Sequence, residues 1–324
     1  MYIYPDVPVL IRSSGSVQCG TGPRSVVLTD LSDAEVAVLT HMERALTREQ
    51  IVRYAARRGV STATIDAFVD VLARAGLATR RRSPGQRGPD TRSMWARDGG
   101  GAAARLPEAA SLAISGLSAV GIRLACLCVE TGIGTLYLDD RGHIGAADTA
   151  LLPLASQFRR RDEAAAHLLR GASTRVLTSS DTRADLSVIV TGYTCDAATW
   201  APLMAAERAH LPITIGESTI EVGPLVRPGA SACLHCIGLS MRDEDRAWPL
   251  IAAQLAPLPP PAVDPLLGAQ VAAFAAGEVV RALTGVASSC EQTSWLWVPG
   301  EPAPLVRTWE PHPDCACGAA AVLA

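Results

Sequence analysis

The stretch "ISGLSAVG", Ile114 to Gly121, decides how this chain is read. A strand-like run, "SLAISG", enters it. A helix-like run, "SAVGIRLACLCVETG", leaves it. Strand, glycine turn and helix together make a cradle for a dinucleotide or ATP. Gly116 permits the tight turn, and Gly121 lets the helix pack close to the strand. Ser118 stands where the middle glycine would let backbone approach phosphate. A serine there weakens phosphate binding without forbidding it. An acid about twenty positions on, Asp139 at the end of "LYLDD", is placed to hold ribose hydroxyls. The turn can equally serve only as the start of a packed βαβ unit.

Outward from that stretch, residues 108–324 alternate strand-like and helix-like pieces. "GTLYLDD", "TRVLTS", "DLSVIVTG" and "LPITIGES" read as strands. "RRRDEAAAHLLRGA", "AATWAPLMAAERAH" and "GAQVAAFAAGEVVRALTG" read as helices. "TIEVGPLVRPG" reads as an extended hairpin-like piece, and "SWLWVPG" with "PLVRTWEP" as a final hairpin. Such alternation predicts an α/β fold with a mostly parallel sheet. Residues 83–107, rich in Pro, Gly and Arg, read as a linker. Residues 1–82 read as three short strands, three helices and a returning wing, "GLATRRR", which is a winged-helix order. Ser32 with Glu35, and Thr47 with Gln50, have capping-box spacing. Ser61 opens the third helix, whose Ile65, Phe68, Val69 and Leu72 form an apolar stripe.

The composition is that of a globular chain, 48% hydrophobic and 19% charged, with a net charge of −3. That charge gives no general attraction to nucleic acid. All 29 basic side chains are arginine, and the chain has neither lysine nor asparagine. Any mechanism that needs either residue is excluded. No export signal is legible at "MYIYPDVPVL", and the apolar run from Leu112 to Leu138 is broken by Arg123 and Glu130. A cytoplasmic protein is expected. Nine cysteines without an export signal point to reduced thiols or metal ligands.

"CLHC" supplies Cys233 and Cys236, and "CAC" supplies Cys315 and Cys317. Two such turns provide the four thiolates of a closed tetrahedral zinc site, structural rather than catalytic. His235 and His312 lie close by and are not needed as ligands. Cys126 and Cys128 read as core filling, and Cys19, Cys195 and Cys290 have no partner by spacing.

The fingerprint turn, "LYLDD", "VGPLVRPGASACLHC", "GEVVRALTG" and the terminal "HPDCAC" together resemble the ThiF-type, ubiquitin-activating-like family. The match is to its actinobacterial branch associated with thiazole/oxazole-modified microcin (TOMM) biosynthesis. That resemblance implies a winged-helix RiPP recognition element over residues 1–82, homodimerisation, and one of two activities. Catalytic members adenylate a C-terminal carboxylate with ATP and Mg²⁺. Non-catalytic members bind a precursor's leader peptide and present it to a cyclodehydratase. The leader is expected to add as a strand between Val26, Val27, Leu28 and Thr29 on one side and Ile65, Phe68, Val69 and Leu72 on the other.

Departures from the adenylating pattern favour the non-catalytic role. The segment "DDRGHIGAADTALLP" has no asparagine, Arg161 stands in for a phosphate-binding lysine, and Asp196 is the acid available to Mg²⁺ after "SVIV". A planar guanidinium holds phosphate differently from a compact ammonium. A third role, a winged-helix regulator with a nucleotide-sensing domain, would need a basic recognition face. The third helix has two aspartates and one arginine, leaving only Arg57, Arg58 and Arg80 to Arg82 for phosphate contacts.

Overall fold

The computed structural model describes residues 2–3, 7–42, 48–79, 109–145, 148, 151–152, 158–170, 174–179 and 183–318. The linker assigned to 83–107, the Thr47 cap and Arg80 to Arg82 lie outside them. The chain forms two compact units, residues 1–105 and 106–324.

In the first unit β2 (Val9–Ser13), β3 (Ser16–Cys19) and β4 (Val26–Leu28) form an antiparallel sheet in that order, leaving β4 at an edge among the described residues. The turn at Gly15 has φ +72, and a Cβ there would lie 2.8 Å from the Leu31 carbonyl oxygen. Three helices follow: α1 (Asp33–Met42), α2 (Arg48–Ala56) and α3 (Thr62–Arg74). The capping box forms. Ser32 donates its backbone N–H to Glu35 at 2.8 Å, and Glu35 N–H returns to the Ser32 hydroxyl at 3.3 Å. Ser61 caps α3 by accepting from Thr64 N–H at 3.1 Å.

The returning strand β5 (Ala78–Thr79) pairs with β1 (Tyr2–Ile3) in a separate two-stranded ladder. The α3 stripe of Ile65, Phe68, Val69 and Leu72 is buried, packed with Val17, Leu39 and Ile51. These side chains recur at i, i+3, i+4 and i+7, so they share the face that fills the unit's own core.

The second unit is built on one sheet of eight strands in the order β13-β12-β11-β10-β9-β6-β7-β8. β6 (Ser111–Ser115), β7 (Thr135–Asp139), β8 (Arg175–Thr178), β9 (Leu186–Gly192) and β10 (His210–Ile215) run parallel. β11 (Ile220–Val222), β12 (Thr293–Trp297) and β13 (Leu305–Thr308) extend it antiparallel. The chain places β7 on one side of β6 and β9 on the other. The order therefore reverses at β6, and a crevice opens at the carboxyl ends there. β9 is buried over most of its length, as a central parallel strand must be.

The helices of this unit are α4 (Ala119–Glu130), α5 (Arg161–Leu168), α6 (Ala197–Ala205), α7 (Leu234–Glu244), α8 (Trp248–Leu255) and α9 (Pro265–Thr284). Sequence reading had missed α7 and α8. α9 is long and apolar enough to cross a membrane, but it packs against α4 and contributes Val271, Ala272, Ala275 and Val279 to the main core. Asp264 caps its start by accepting from Leu266 and Leu267 N–H, and Gly285 ends it in the left-handed region at φ +71. Cys128 is fully buried in α4, as core filling requires, and burial pushes its thiol pKa up.

Candidate functional site: a nucleotide-type cleft and a four-thiol clip

The turn from β6 into α4 is as tight as its glycines imply. Gly116 has φ +86, and a Cβ there would sit 1.9 Å from the Val190 carbonyl oxygen. A Cβ on Gly121 would sit 2.2 Å from the Gly116 oxygen. Both glycines are demanded by backbone packing alone, whether or not a ligand binds. Ser118 is the N-cap of α4, yet its hydroxyl makes no capping bond and is buried without a partner among the described residues.

A cleft of 530 Å³ opens beside this turn. Gly116, Ser118, Asp139 and Arg161 line it, so four of the five expected nucleotide residues meet there. Gly121 lies one layer below, against the turn. Sequence reading had missed Asp140 and Asp148. Asp140, not Asp139, is the acid bound to the turn: it accepts from Leu117 N–H at 2.7 Å and Gly142 N–H at 2.8 Å. The doublet "DD" followed by Gly142 was the legible signal, because an aspartate commonly closes a turn onto the N–H two residues on. Asp139 engages the turn through its carbonyl, which accepts from Gly116 N–H at 3.0 Å.

Arg161 is held between two carboxylates. Its Nε donates to Asp148 at 3.0 Å, and its Nη1 lies 3.7 Å from Asp140. Asp148 is only 5% exposed and also accepts from Gly145 N–H at 2.9 Å. Among the described residues the charged lining is Asp139, Asp140 and Asp148 against Arg141 and Arg161. Three negative groups against two positive ones leave one net negative charge, which repels polyphosphate.

Asp196 does not line this cleft; it caps α6 by accepting from Ala198 N–H at 3.1 Å. A proline strap, Pro259 to Pro261, forms the opposite wall. It presses on the end of β9: a Cβ on Gly192 would lie 2.9 Å from Pro260 Cα.

The cysteine pairs do converge. The sulfurs of Cys233, Cys236, Cys315 and Cys317 all lie within 4.8 Å of one another. Neighbouring sulfurs are 3.7 Å (Cys233 to Cys236), 3.7 Å (Cys233 to Cys315) and 3.6 Å (Cys236 to Cys317) apart. A tetrahedron with metal–sulfur bonds of about 2.3 Å has edges of about 3.8 Å. The four thiols thus fit a metal ion such as zinc, and would supply all four of its ligands. Burial pushes the Cys233 thiol up to about 11; a bound metal would displace that proton. His312 is engaged elsewhere, with Asp243 Oδ2 at 2.9 Å, while His235 Nδ1 lies 3.4 Å from Cys315. Among the other thiols, burial and the nearby Asp196 push Cys195 up to about 12, and burial also raises Cys290. Neither is a ready nucleophile at neutral pH.

The backbone carries a clear likeness. Escherichia coli MccB, solved with AMPCPP and MccA, superposes with a TM-score of 0.68, covering 96% of this chain and 97% of its own at 15% identity. The chain shares the fold of MccB. MccB bound to MccA-N7isoASN gives a TM-score of 0.71 over 98% of this chain and 99% of its own, also at 15% identity. PaaA gives 0.64 over 94% and 99%, again at 15%. These likenesses include the N-terminal unit, since they span nearly the whole chain. No protein family matches the sequence, and no curated protein does either.

Proposed function

We propose that this chain is a non-catalytic ThiF-like partner that binds a precursor's leader peptide and presents it to a modifying enzyme. The observation that carries this reading is the clamp on Arg161. The cation best placed for phosphate is spent between Asp140 and Asp148, in a cleft of net negative charge. Adenylation needs several preorganised positive groups at once, and among the described residues of the lining the cations are Arg161, which is so paired, and Arg141. Full-length likeness to MccB, which was solved with the peptide MccA, supports a peptide as the partner.

The peptide surface offered is the edge of β4, where Val27 is 41% exposed and Thr29 is exposed just beyond. Addition of a strand there needs main-chain pairing and does not need the buried α3 stripe. The reading includes a RiPP recognition element of winged-helix type in residues 1–82 and a structural zinc on the four cysteines. It also includes a homodimer acting in the cytoplasm with a cyclodehydratase in azole or azoline formation.

Hydrogen exchange on the full chain tests it, with and without a short precursor peptide encoded beside it. Amides of residues 26–29 should exchange more slowly when the peptide is present. Slowing confined to the Gly116 cleft, or none anywhere, contradicts the proposal. A second reading, an ATP-dependent adenylyltransferase, is favoured by the likeness to MccB structures solved with ATP and AMPCPP.

A further inference from the structure

A second pocket, of 130 Å³, lies beyond the cleft. The two are joined by one turn: Thr191 and Gly192 line the cleft, and Tyr193, Thr194 and Cys195 line the pocket. One wall is a face of α7, with Leu234, Ile237, Gly238 and Met241 at i, i+3, i+4 and i+7. Gly238 is unusual within that face. A Cβ there would meet nothing within 4 Å. A glycine inside a helix costs about 1 kcal/mol relative to alanine, and no close packing requires this one. Its effect is to leave space in the pocket.

The four-thiol clip builds the wall. Cys233 and Cys236 begin α7, and the small core around the sulfurs contains Trp309, Leu234, Ile237 and Met241. Trp248 adds a second ring to the lining.

The acid in the lining, beside the aliphatic and aromatic side chains and with Thr194 and Thr214 also present, is Glu221, on β11. One of its oxygens accepts from the Ser294 hydroxyl, which itself accepts from the Trp309 indole at 2.8 Å. The other oxygen makes no hydrogen bond among the described residues. Burial raises the pKa of this carboxyl, the Ser294 bond and Arg307 opposing. Arg307 is the cation in the lining, but it is ion-paired with Glu244 at 3.0 Å and stacked 4.6 Å over Trp309. A half-satisfied carboxylate facing apolar and aromatic walls is completed by a cation carried on an apolar stem.

We propose that this pocket receives an aliphatic ammonium group, the lysine side chain of a bound peptide, with Glu221 as its counter-ion. The peptide source rests on the proposed function, whereas the pocket's preference for ammonium does not. The chain has no lysine of its own to fill the site.

Ligand-observed NMR on the full, metal-loaded chain tests this with n-butylammonium, n-butyramide and n-butyrate as probes. Butylammonium should bind, and the amide and acid should not. Glu221→Gln, which preserves shape, should weaken binding about tenfold or more. Gly238→Leu, which fills the space, should abolish it; the Gln variant alone suffices if the Leu variant does not fold. Alanyl-lysyl-alanine blocked at both ends should bind at least as well as butylammonium. Equal binding of amide and ammonium, unchanged binding by Glu221→Gln, or no binding to the folded parent overturns the ammonium assignment. Exclusion of the blocked tripeptide overturns its peptide source. Either failure leaves slowed exchange at β4 standing or falling separately.

Discussion

The Gly116 cleft and the four-cysteine clip sit in the same unit, and both begin from small sequence signatures. They differ in what those signatures secure. At the clip, residue type and geometry are one requirement: four sulfurs 3.6–3.7 Å from their neighbours fit a metal ion. At the cleft the two come apart. Gly116 and Gly121 hold the backbone tightly, yet Arg161 beside them is bound to Asp148 and lies against Asp140. Strand–helix packing alone demands the glycine turn, so the turn by itself does not report on ligand chemistry.

The sharpest test of that contrast is metal removal. The clip ties Cys315 and Cys317 back to α7, and metal binding at such sites contributes on the order of 10 kcal/mol. A strong chelator, or Cys236→Ser, should lower the melting temperature markedly and open the chain beyond Trp309 to protease. If melting and proteolysis are unchanged, the clip is not a metal site.

Gly116→Ala comes next, with a loss of about 3 kcal/mol or more in urea denaturation, because a Cβ would lie 1.9 Å from a carbonyl oxygen. Ser118→Gly should change stability by less than about 1 kcal/mol, since the hydroxyl makes no bond. Equal effects of the two would break the argument that the turn is kept for packing.

Arg161→Ala should cost about 2 kcal/mol by leaving buried Asp148 without its cation. A neutral or stabilising result would mean that the clamp is not structural. The last prediction concerns the other unit. Ser32→Ala should cost about 1 kcal/mol at neutral pH. The Ser32 backbone N–H and hydroxyl hold the Glu35 pKa below its ordinary value. That contribution is present above the unfolded pKa and lost as pH falls through the folded one. The Ser32→Ala penalty should therefore shrink in acid; a penalty independent of pH would separate Glu35 from the cap.

Much of the fold was legible because its signals are local. The Ser32 capping box, the β6 turn into α4 and the closing hairpin of β12 and β13 each need only a few adjacent residues. Less local features were not. α7 escaped notice because its apolar face is short, interrupted by Gly238 and followed by "RDED". The α3 stripe was readable as apolar, but periodicity does not say whether such a face meets the core or a ligand. "DD" could not reveal which acid turns back to Leu117. The pairing of Arg161 with Asp148 depends on the path of the intervening chain, and no spacing rule announces it.

The central claim is that the cleft keeps the architecture of a nucleotide site without its reaction. Pyrophosphate exchange into ATP, measured on the metal-loaded chain with Mg²⁺ and peptide present, tests it most directly. The account predicts no exchange above the protein-free rate, and no change on Arg161→Ala. Exchange that the parent sustains and Arg161→Ala abolishes would contradict it.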